Sequence, residues 1–281
     1  MSRLAIDIGG TWLRYELMGE REFCGKVPTK SSDLLGFIEE AIANYPDIDG
    51  IAVSFAGQVY EGVILNAPNI TVKTPELQNI VESRYGIPLR LENDLNCAAL
   101  AESLYWGQKN IVALYSGTGL GSGIVMGGEI CRGFRGLAGE IGHVPYRQAP
   151  FRCGCGKSNC LELYASGSGL QKWIRFYGST TETTLEELMG APAPLGDIAE
   201  HYLQALTHAA ATLVTLCNPS ILVLGGGVIA HNPWVVDSVR ERIGDDALAD
   251  SLQALRIEAS RLEEASLMGA KILLDTIEPL E

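Results

Sequence analysis

Ile111-Val-Ala-Leu-Tyr-Ser116-Gly-Thr-Gly-Leu-Gly121-Ser-Gly-Ile-Val-Met126 reads as an apolar strand, a glycine-rich turn and a second apolar strand. The same pattern stands near the start of the chain, where apolar runs at residues 3–8 and 12–17 flank Asp7-Ile8-Gly9-Gly10-Thr11. A strand over 22–27 and an amphipathic helix over 33–45, with Leu34, Leu35, Phe37, Ile38, Ala41 and Ile42 on its apolar face, extend this into a β-meander feeding a helix. An apolar run from Gly50 to Phe55, a helix over 75–85, a short strand from Leu89 to Leu91 and a helix opening at Asp94 follow. In the second half, Ile221 to Leu224 is a continuous apolar run between Asn218-Pro219 and Gly225-Gly226-Gly227, the mark of a buried parallel strand. Three strands, a helix, a strand and a helix therefore occur twice, the second copy interrupted by a cysteine-rich loop and by helices over about 162–217. The alternation predicts an α/β fold in two lobes: residues 1–108, with a last helix over 263–281 packing back on them, and residues 109–262.

The cysteine-rich loop carries a ligand set. His143, Cys153, Cys155 and Cys160 offer one imidazole and three thiolates, which suits tetrahedral zinc and leaves no open position, so the ion would be structural. In Cys-Gly-Cys-Gly-Lys-Ser-Asn-Cys the glycines Gly154 and Gly156 tolerate backbone angles that a tight knuckle demands. The rival reading is a disulfide, which the strand-like start Leu-Ala-Ile-Asp-Ile and the lack of a secretory pattern oppose. Cys24, Cys97, Cys131 and Cys217 sit among apolar neighbours and are expected as buried free thiols.

A net charge of −13 over 281 residues opposes a nucleic-acid partner and an anionic membrane surface. No apolar run reaches the roughly 18 residues of a spanning helix, and a soluble cytoplasmic protein is expected.

The two turns suggest an anionic ligand. At Gly9-Gly10-Thr11 backbone N–H groups can approach an anion closely, Asp7 can reach a hydrated Mg²⁺ held by phosphates, and Thr11 offers a hydroxyl. Glycine pairs in hairpins explain this turn equally well when it is taken alone. The second turn again joins two apolar strands and presents Thr118 and Gly119, and two such turns could clamp one triphosphate. Asp94 opens a helix, where aspartate serves either as a simple N-cap or as a carboxylate held for proton transfer.

These turns, together with Leu91-Glu92-Asn93-Asp94, Gly139-Glu140-Ile141-Gly142-His143 and Cys153-Gly-Cys-Gly-Lys-Ser-Asn-Cys160-Leu-Glu162, resemble the ROK family (repressor, open reading frame, kinase) essentially end to end. The resemblance implies the two-lobed actin-like, ribonuclease H-like ATPase fold with an inserted zinc knuckle, an ATP cleft, and phosphorylation of a hexose, foremost at O6 of glucose. It implies ATP, Mg²⁺ and structural Zn²⁺ as cofactors and a homodimer as the assembly. It makes Asp94 the catalytic base and assigns sugar contacts to Asn69, Asn93, Asp94, Glu140, His143 and Glu162, with Gly57 approaching through its backbone. His143 would then hold zinc through one ring nitrogen and aim the other at the sugar. Asp7, Gly9, Gly10, Thr11, Thr118 and Gly119 would hold the phosphates, and Gly225, Gly226 and Gly227 the adenosine.

The chain departs from the family pattern in three places. Asn159 replaces a glycine before the third cysteine, a change that asparagine's tolerance of left-handed angles should absorb. Ile70-Thr71-Val72-Lys73 stands where glucokinases of the family commonly have a tryptophan, and Ser54-Phe55-Ala56-Gly57-Gln58 lacks a frequent proline. Gln58 could hydrogen-bond an N-acetyl group, so N-acetylmannosamine, N-acetylglucosamine and fructose stand beside glucose. The family's repressors carry a helix-turn-helix ahead of the same fold, for which a fold beginning near residue 3 leaves no room. A binding-only regulator would be expected to lose Asp94 or a phosphate turn.

Overall fold

The computed structural model describes residues 1–19, 23–31, 33–179 and 184–277, and the chain divides into two compact units. Residue 22 and residues 180–183 and 278–281, which the sequence reading places in a strand and in helices, lie outside the described residues.

Unit 1 comprises Met1–Tyr105, Ile130–Ala138 and Leu262–Glu281. Its strands are β1 (Ser2–Ile8), β2 (Trp12–Met18), β3 (Phe23–Pro28), β4 (Ile48–Phe55), β5 (Gln58–Tyr60), β6 (Val63–Asn66) and β7 (Leu89–Asn93). Five of them form one sheet in the order β3-β2-β1-β4-β7. β1 runs antiparallel to β2 and parallel to β4, which runs parallel to β7. Both faces of β1 and β4 are covered, which is why Leu4-Ala-Ile and Ile51-Ala-Val read as unbroken apolar runs. The helices Leu34–Asn44 and Leu77–Tyr85 contribute Ile38, Leu77 and Val81 to the core with Ile6, Leu13, Phe55 and Leu89. The helix Ala265–Leu274 packs on β1 and β4. Its Gly269 lies so close to the Cys97 carbonyl in the helix Asp94–Trp106 that no side chain fits between them.

The segment Ile130–Ala138 falls in unit 1, whereas a single boundary near residue 108 would leave it with the second half. It is held there by packing of Gly136 on the Val59 carbonyl and by the Arg132–Glu92 ion pair. The hairpin of β5 and β6 is absent from the sequence reading. Its turn runs through Glu61 and Gly62 at φ +48° and +75°, a tight connection between strands of three and four residues.

Unit 2 comprises Trp106–Glu129 and Gly139–Arg261. The strands β8 (Ile111–Ser116), β9 (Leu120–Met126), β10 (Glu129–Ile130), β11 (Ile221–Gly225) and β12 (Arg256–Ala259) form a sheet in the order β10-β9-β8-β11-β12, the same arrangement as in unit 1. β8 pairs antiparallel with β9 from Ile111↔Val125 to Ser116↔Leu120, and β11 runs parallel to both β8 and β12. The helix Leu195–Cys217 buries Tyr202, Leu206, Ala209, Ala210 and Leu213 in the core shared with Leu114, Leu222 and Leu224. It stops at Asn218, whose left-handed φ of +45° ends the helix just before Pro219.

The free cysteines correct one expectation. Cys97 is buried and Cys217 partly so, but Cys24 and Cys131 are exposed. Cys24 lies on β3, an edge of its sheet, and Cys131 lies outside any strand or helix, so apolar sequence neighbours did not bury either. Among the described residues no helix is long and apolar enough to cross a membrane.

Candidate active site

In unit 1 the end of β7 delivers Glu92-Asn93 to the first turn of the helix Asp94–Trp106. Asn93 Oδ1 accepts the N–H groups of Leu95 and Asn96 at 2.9 and 3.1 Å, so Asn93 is the residue that caps the helix. Asp94 is the first helical residue, and its Oδ1 accepts from the Leu95 N–H at 3.0 Å and from Asn93 Nδ2 at 3.1 Å. The rival role for Asp94 thus falls to its neighbour. Asn93 Nδ2 also donates to the Gly57 carbonyl at 3.0 Å, which joins three sequence-predicted residues in one network. Gly57 must be glycine here, because a Cβ would lie 2.5 Å from the Asn66 carbonyl oxygen.

Two residues of this network were given no role in the sequence reading, Glu92, quoted there only as part of a motif, and Arg132. Glu92 is buried, and its Oε1 accepts from the Asn93 N–H at 2.9 Å and from Asn96 Nδ2 at 2.8 Å. Its Oε2 accepts from Arg132 Nε at 2.6 Å. The pair is separated by 40 positions, so nothing in the local sequence of either residue announces it.

Asp7 lies at the end of β1, opposite Arg14 on β2 and Ser54 on β4. Ser54 Oγ donates to Asp7 Oδ1 at 2.9 Å, and Arg14 Nη1 lies 3.4 Å from Oδ2 while its Nε lies 3.2 Å from Glu264 Oε1. Burial pushes the Asp7 carboxyl above the usual range, against the opposing pull of Ser54 and Arg14. In the following turn the Gly9 N–H donates to the Trp12 carbonyl at 3.0 Å, and Thr29 Oγ1 donates to the Gly9 carbonyl at 2.7 Å. A Cβ on Gly10 would lie 3.0 Å from Asn69 Cβ, so Asn69 stands beside this turn, and Thr11 is exposed.

In unit 2 the turn after β8 is built into its surroundings. Tyr202 Oη donates to Ser116 Oγ at 2.9 Å, and Ser116 Oγ donates to the Ala165 carbonyl at 2.8 Å. The Gly117 and Thr118 carbonyls accept the N–H groups of Gly167 and Ser168 at 2.8 and 3.1 Å, at the start of the helix Gly167–Phe176. Gly226, at φ +88°, presses against the same turn, since a Cβ there would lie 2.5 Å from the Ser116 carbonyl oxygen. A Cβ on Gly227 would meet only open space. The structure therefore brings Gly117–Gly119 and Gly225–Gly227 together, and adds Gly167 and Ser168, which the sequence reading missed.

Glu162 and the cysteine cluster adjoin this turn. Leu120 N–H donates to Glu162 Oε2 at 3.1 Å, and Cys153 Sγ donates to Oε1 at 3.2 Å. His143 Nδ1 lies 3.6 Å from Cys153 Sγ, and its Nε2 lies 3.8 Å from Glu140 Oε2. The ligand atoms of His143, Cys153, Cys155 and Cys160 all lie within 4.8 Å of one another. Burial pushes the Cys153 and Cys160 thiols up, whereas Cys155, despite burial, is held below its ordinary value by hydrogen bonds from Lys157 and the neighbouring cysteines. Three thiols and an imidazole converging beside a carboxylate form a donor set that fits a divalent cation, which would offset the charge of ionised sulfurs. Within the knuckle Gly156 takes a left-handed φ of +90°, whereas Gly154 and Asn159 do not, so their tolerance of such angles is not called on. The glycines Gly139 and Gly142 lie against the carbonyls of Ser122 and Leu120 on β9, which seats Glu140 and His143 beside this strand.

An α/β chain with twice-repeated sheet order, a capped Asn-Asp turn and glycine turns is the architecture of a known class. The chain matches the ROK family over residues 3–277 and belongs to that family. It is 30% identical over 271 residues to a glucokinase of Streptomyces coelicolor, covering 85% of this chain and 86% of that one. A glucokinase of Streptomyces griseus, solved in complex with glucose and AMPPNP, superposes with a TM-score of 0.76 at 28% identity over 99% of this chain and 100% of that one. A ROK family transcriptional regulator, homologous to the MLC protein of E. coli, superposes with a TM-score of 0.81 at 26% identity over 98% of this chain and 78% of its own.

Proposed function

We propose that this chain is a sugar kinase of the actin-like type, moving the γ-phosphoryl group of ATP to a hexose hydroxyl, foremost O6 of glucose. The observation that carries the proposal is the Asp94 carboxylate, fixed by the Leu95 N–H and Asn93 Nδ2 while Asn93 takes over the capping of the helix. A carboxylate at a helix N-terminus is kept ionised by the partial positive charge there. It accepts the proton of the attacking hydroxyl late in a largely dissociative transfer. The sugar contacts of unit 1 are Asn69 and Asn93, the latter held to Gly57, and those of unit 2 are Glu140, His143 and Glu162. The glucokinase of Streptomyces griseus that holds glucose and AMPPNP supports ATP as the donor.

The phosphate-binding turn of unit 1 is the backbone of Gly9, Gly10 and Thr11, beside which Asp7 would reach a hydrated Mg²⁺, and that of unit 2 is Thr118 and Gly119. That ion, when bound, neutralises charge on the phosphate oxygens. The open space over Gly227 suits a flat base and ribose next to Gly225 and Gly226. Zinc is held by His143, Cys153, Cys155 and Cys160, and its contribution is structural, fixing the ring of His143.

ADP release with Mg-ATP, measured against glucose, N-acetylglucosamine, N-acetylmannosamine, mannose, fructose and allose, tests the proposal. Strong turnover with one sugar is expected. No turnover with any of them from folded, zinc-loaded protein overturns it. Gln58, at the head of β5 next to Gly57, favours an N-acetylated hexose as the second reading, which the same panel resolves. Sugar binding without ADP release would instead mark a non-catalytic sugar-binding regulator.

A further inference from the structure

The Glu92 side chain is only 8% exposed, yet it carries a carboxylate. A buried carboxylate needs its lone pairs filled and its charge matched. Asn93 N–H and Asn96 Nδ2 fill one oxygen, and Arg132 Nε, at 2.6 Å, supplies the charge on the other. An ion pair between exposed groups contributes little. This one differs, because one partner is buried and the contact is short and charge-assisted.

Arg132 is itself held. Its carbonyl accepts the Ala138 N–H at 3.1 Å, which closes Arg132–Ala138 into a loop, and Gly133 and Gly136 turn that loop at φ +69° and +70°. Gly136 packs on the Val59 carbonyl, which anchors the loop to β5. The guanidinium is therefore presented to Glu92 from a fixed backbone, and Glu92 in turn grips the two residues on either side of Asp94's first turn, Asn93 and Asn96.

We propose that Arg132 is a positioning residue for the Asn93–Asp94 pair, acting through the buried carboxylate of Glu92. The kinetic part of this proposal rests on the sugar kinase reading; the structural part does not. Arg132 touches neither Asp94 nor Asn93 in any contact described above. With the guanidinium removed, Glu92 is left as an unpaired buried charge, and it relaxes by letting go of the Asn93 amide and the Asn96 side chain.

Hydrogen exchange on the intact chain, read by NMR for Arg132→Met against wild type, tests the structural part. The Leu95 and Asn96 amides should exchange at least about tenfold faster, with the amides of β8 unchanged. Unchanged exchange at both overturns the proposal. In turnover assays Arg132→Met should lower kcat by about 10- to 100-fold with KM for ATP unaltered, and Arg132→Lys should recover part of the loss. In an Asp94→Asn background Arg132→Met should cost nothing more, because its effect passes through Asp94; an undiminished further loss overturns the proposal. If Arg132→Met does not fold, Arg132→Gln, which keeps a donor but not the charge, is read in its place, and unchanged exchange at Leu95 and Asn96 overturns the proposal in the same way. Faster exchange in a protein whose wild type turns over no sugar would sink the kinase reading and leave the positioning role standing.

Discussion

The Cys153 sulfur lies 3.2 Å from Glu162 Oε1, and the other oxygen of the same carboxylate takes the Leu120 N–H at 3.1 Å. One side chain thus links the cysteine cluster to the glycine turn between β8 and β9. An ion at the cluster would fix Glu162 and His143 together, and its loss would free both.

Replacing Cys155 by Ser should therefore abolish zinc in the purified protein and weaken sugar binding by about 10- to 100-fold, the range usual for disturbed ligand support. ATP affinity should change far less, since Gly225 ends β11 and Gly226 and Gly227 lead into the helix Gly227–His231, outside the knuckle. Metal analysis and calorimetry check this. Intact zinc content with intact sugar affinity would refute the link.

Asn93 and Asp94 predict opposite patterns of damage. Asp94→Asn should lower kcat by roughly 10²–10⁴, the usual share of a general base, with stability and sugar binding nearly kept. Asn93→Asp retains a cap of equal quality but loses the Nδ2 bonds to Gly57 and Asp94, so activity should fall with little change in melting temperature. Asn93→Ala loses the cap as well and should cost about 0.5–2 kcal/mol of stability. Denaturation curves beside steady-state kinetics separate the three.

Adjacent glycines in the turn after β11 should respond differently to one methyl group. Gly226→Ala places a Cβ at φ +88° against the Ser116 backbone and should destabilise the protein by roughly 1–3 kcal/mol. Gly227→Ala meets open space and begins a helix, so stability should hold or improve by up to about 1 kcal/mol. If adenosine lies over Gly227, the same methyl should raise KM for ATP without altering KM for the sugar. An unchanged KM for ATP would place the nucleotide elsewhere.

Asp7 should cost the fold stability at neutral pH. Its carboxyl is raised above 3.8 in the folded chain, chiefly by burial, so the unfolded chain releases that proton more readily. The group's contribution is present in full below the unfolded value and is lost as pH rises through the folded one. Asp7→Asn should then melt higher than wild type at pH 7, with the difference shrinking as pH falls through the folded value towards the unfolded one. Ser54 and Arg14 keep partners in this variant, at the amide oxygen and at Glu264. Phosphoryl transfer should fall, because the side chain proposed to reach the hydrated Mg²⁺ loses its charge. A melting temperature below wild type at pH 7 would contradict the argument.

Local pattern made much of this molecule legible. The apolar runs of β1, β4, β8 and β11 and the glycine turns between paired strands are short-range signals, and their repetition anticipated the matching sheet orders. The cysteine knuckle was legible for the same reason. β10 has two residues, and β12 alternates Arg256 and Glu258 with Ile257, so neither rises above its surroundings in sequence. The helix opens at Asp94 as read, and its capping falls to Asn93, one position earlier, within the common margin at helix ends. Arg132, Gly167 and Ser168 were invisible because their partners lie 40 to 50 positions away, and only folding brings them together.

Gly269 and Cys97 bring two helices into backbone contact, and the helix Ala265–Leu274 is the last element to cover β1 and β4, the first and fourth strands made. During synthesis the opening meander must wait with one face of its sheet bare until the ribosome has delivered the helix Ala265–Leu274. In sequence, the two segments of unit 2 fall between these two parts of unit 1. Nascent chains stalled before residue 265 should accordingly hold unit 1 open to proteases and chaperones, however well the intervening sequence has folded.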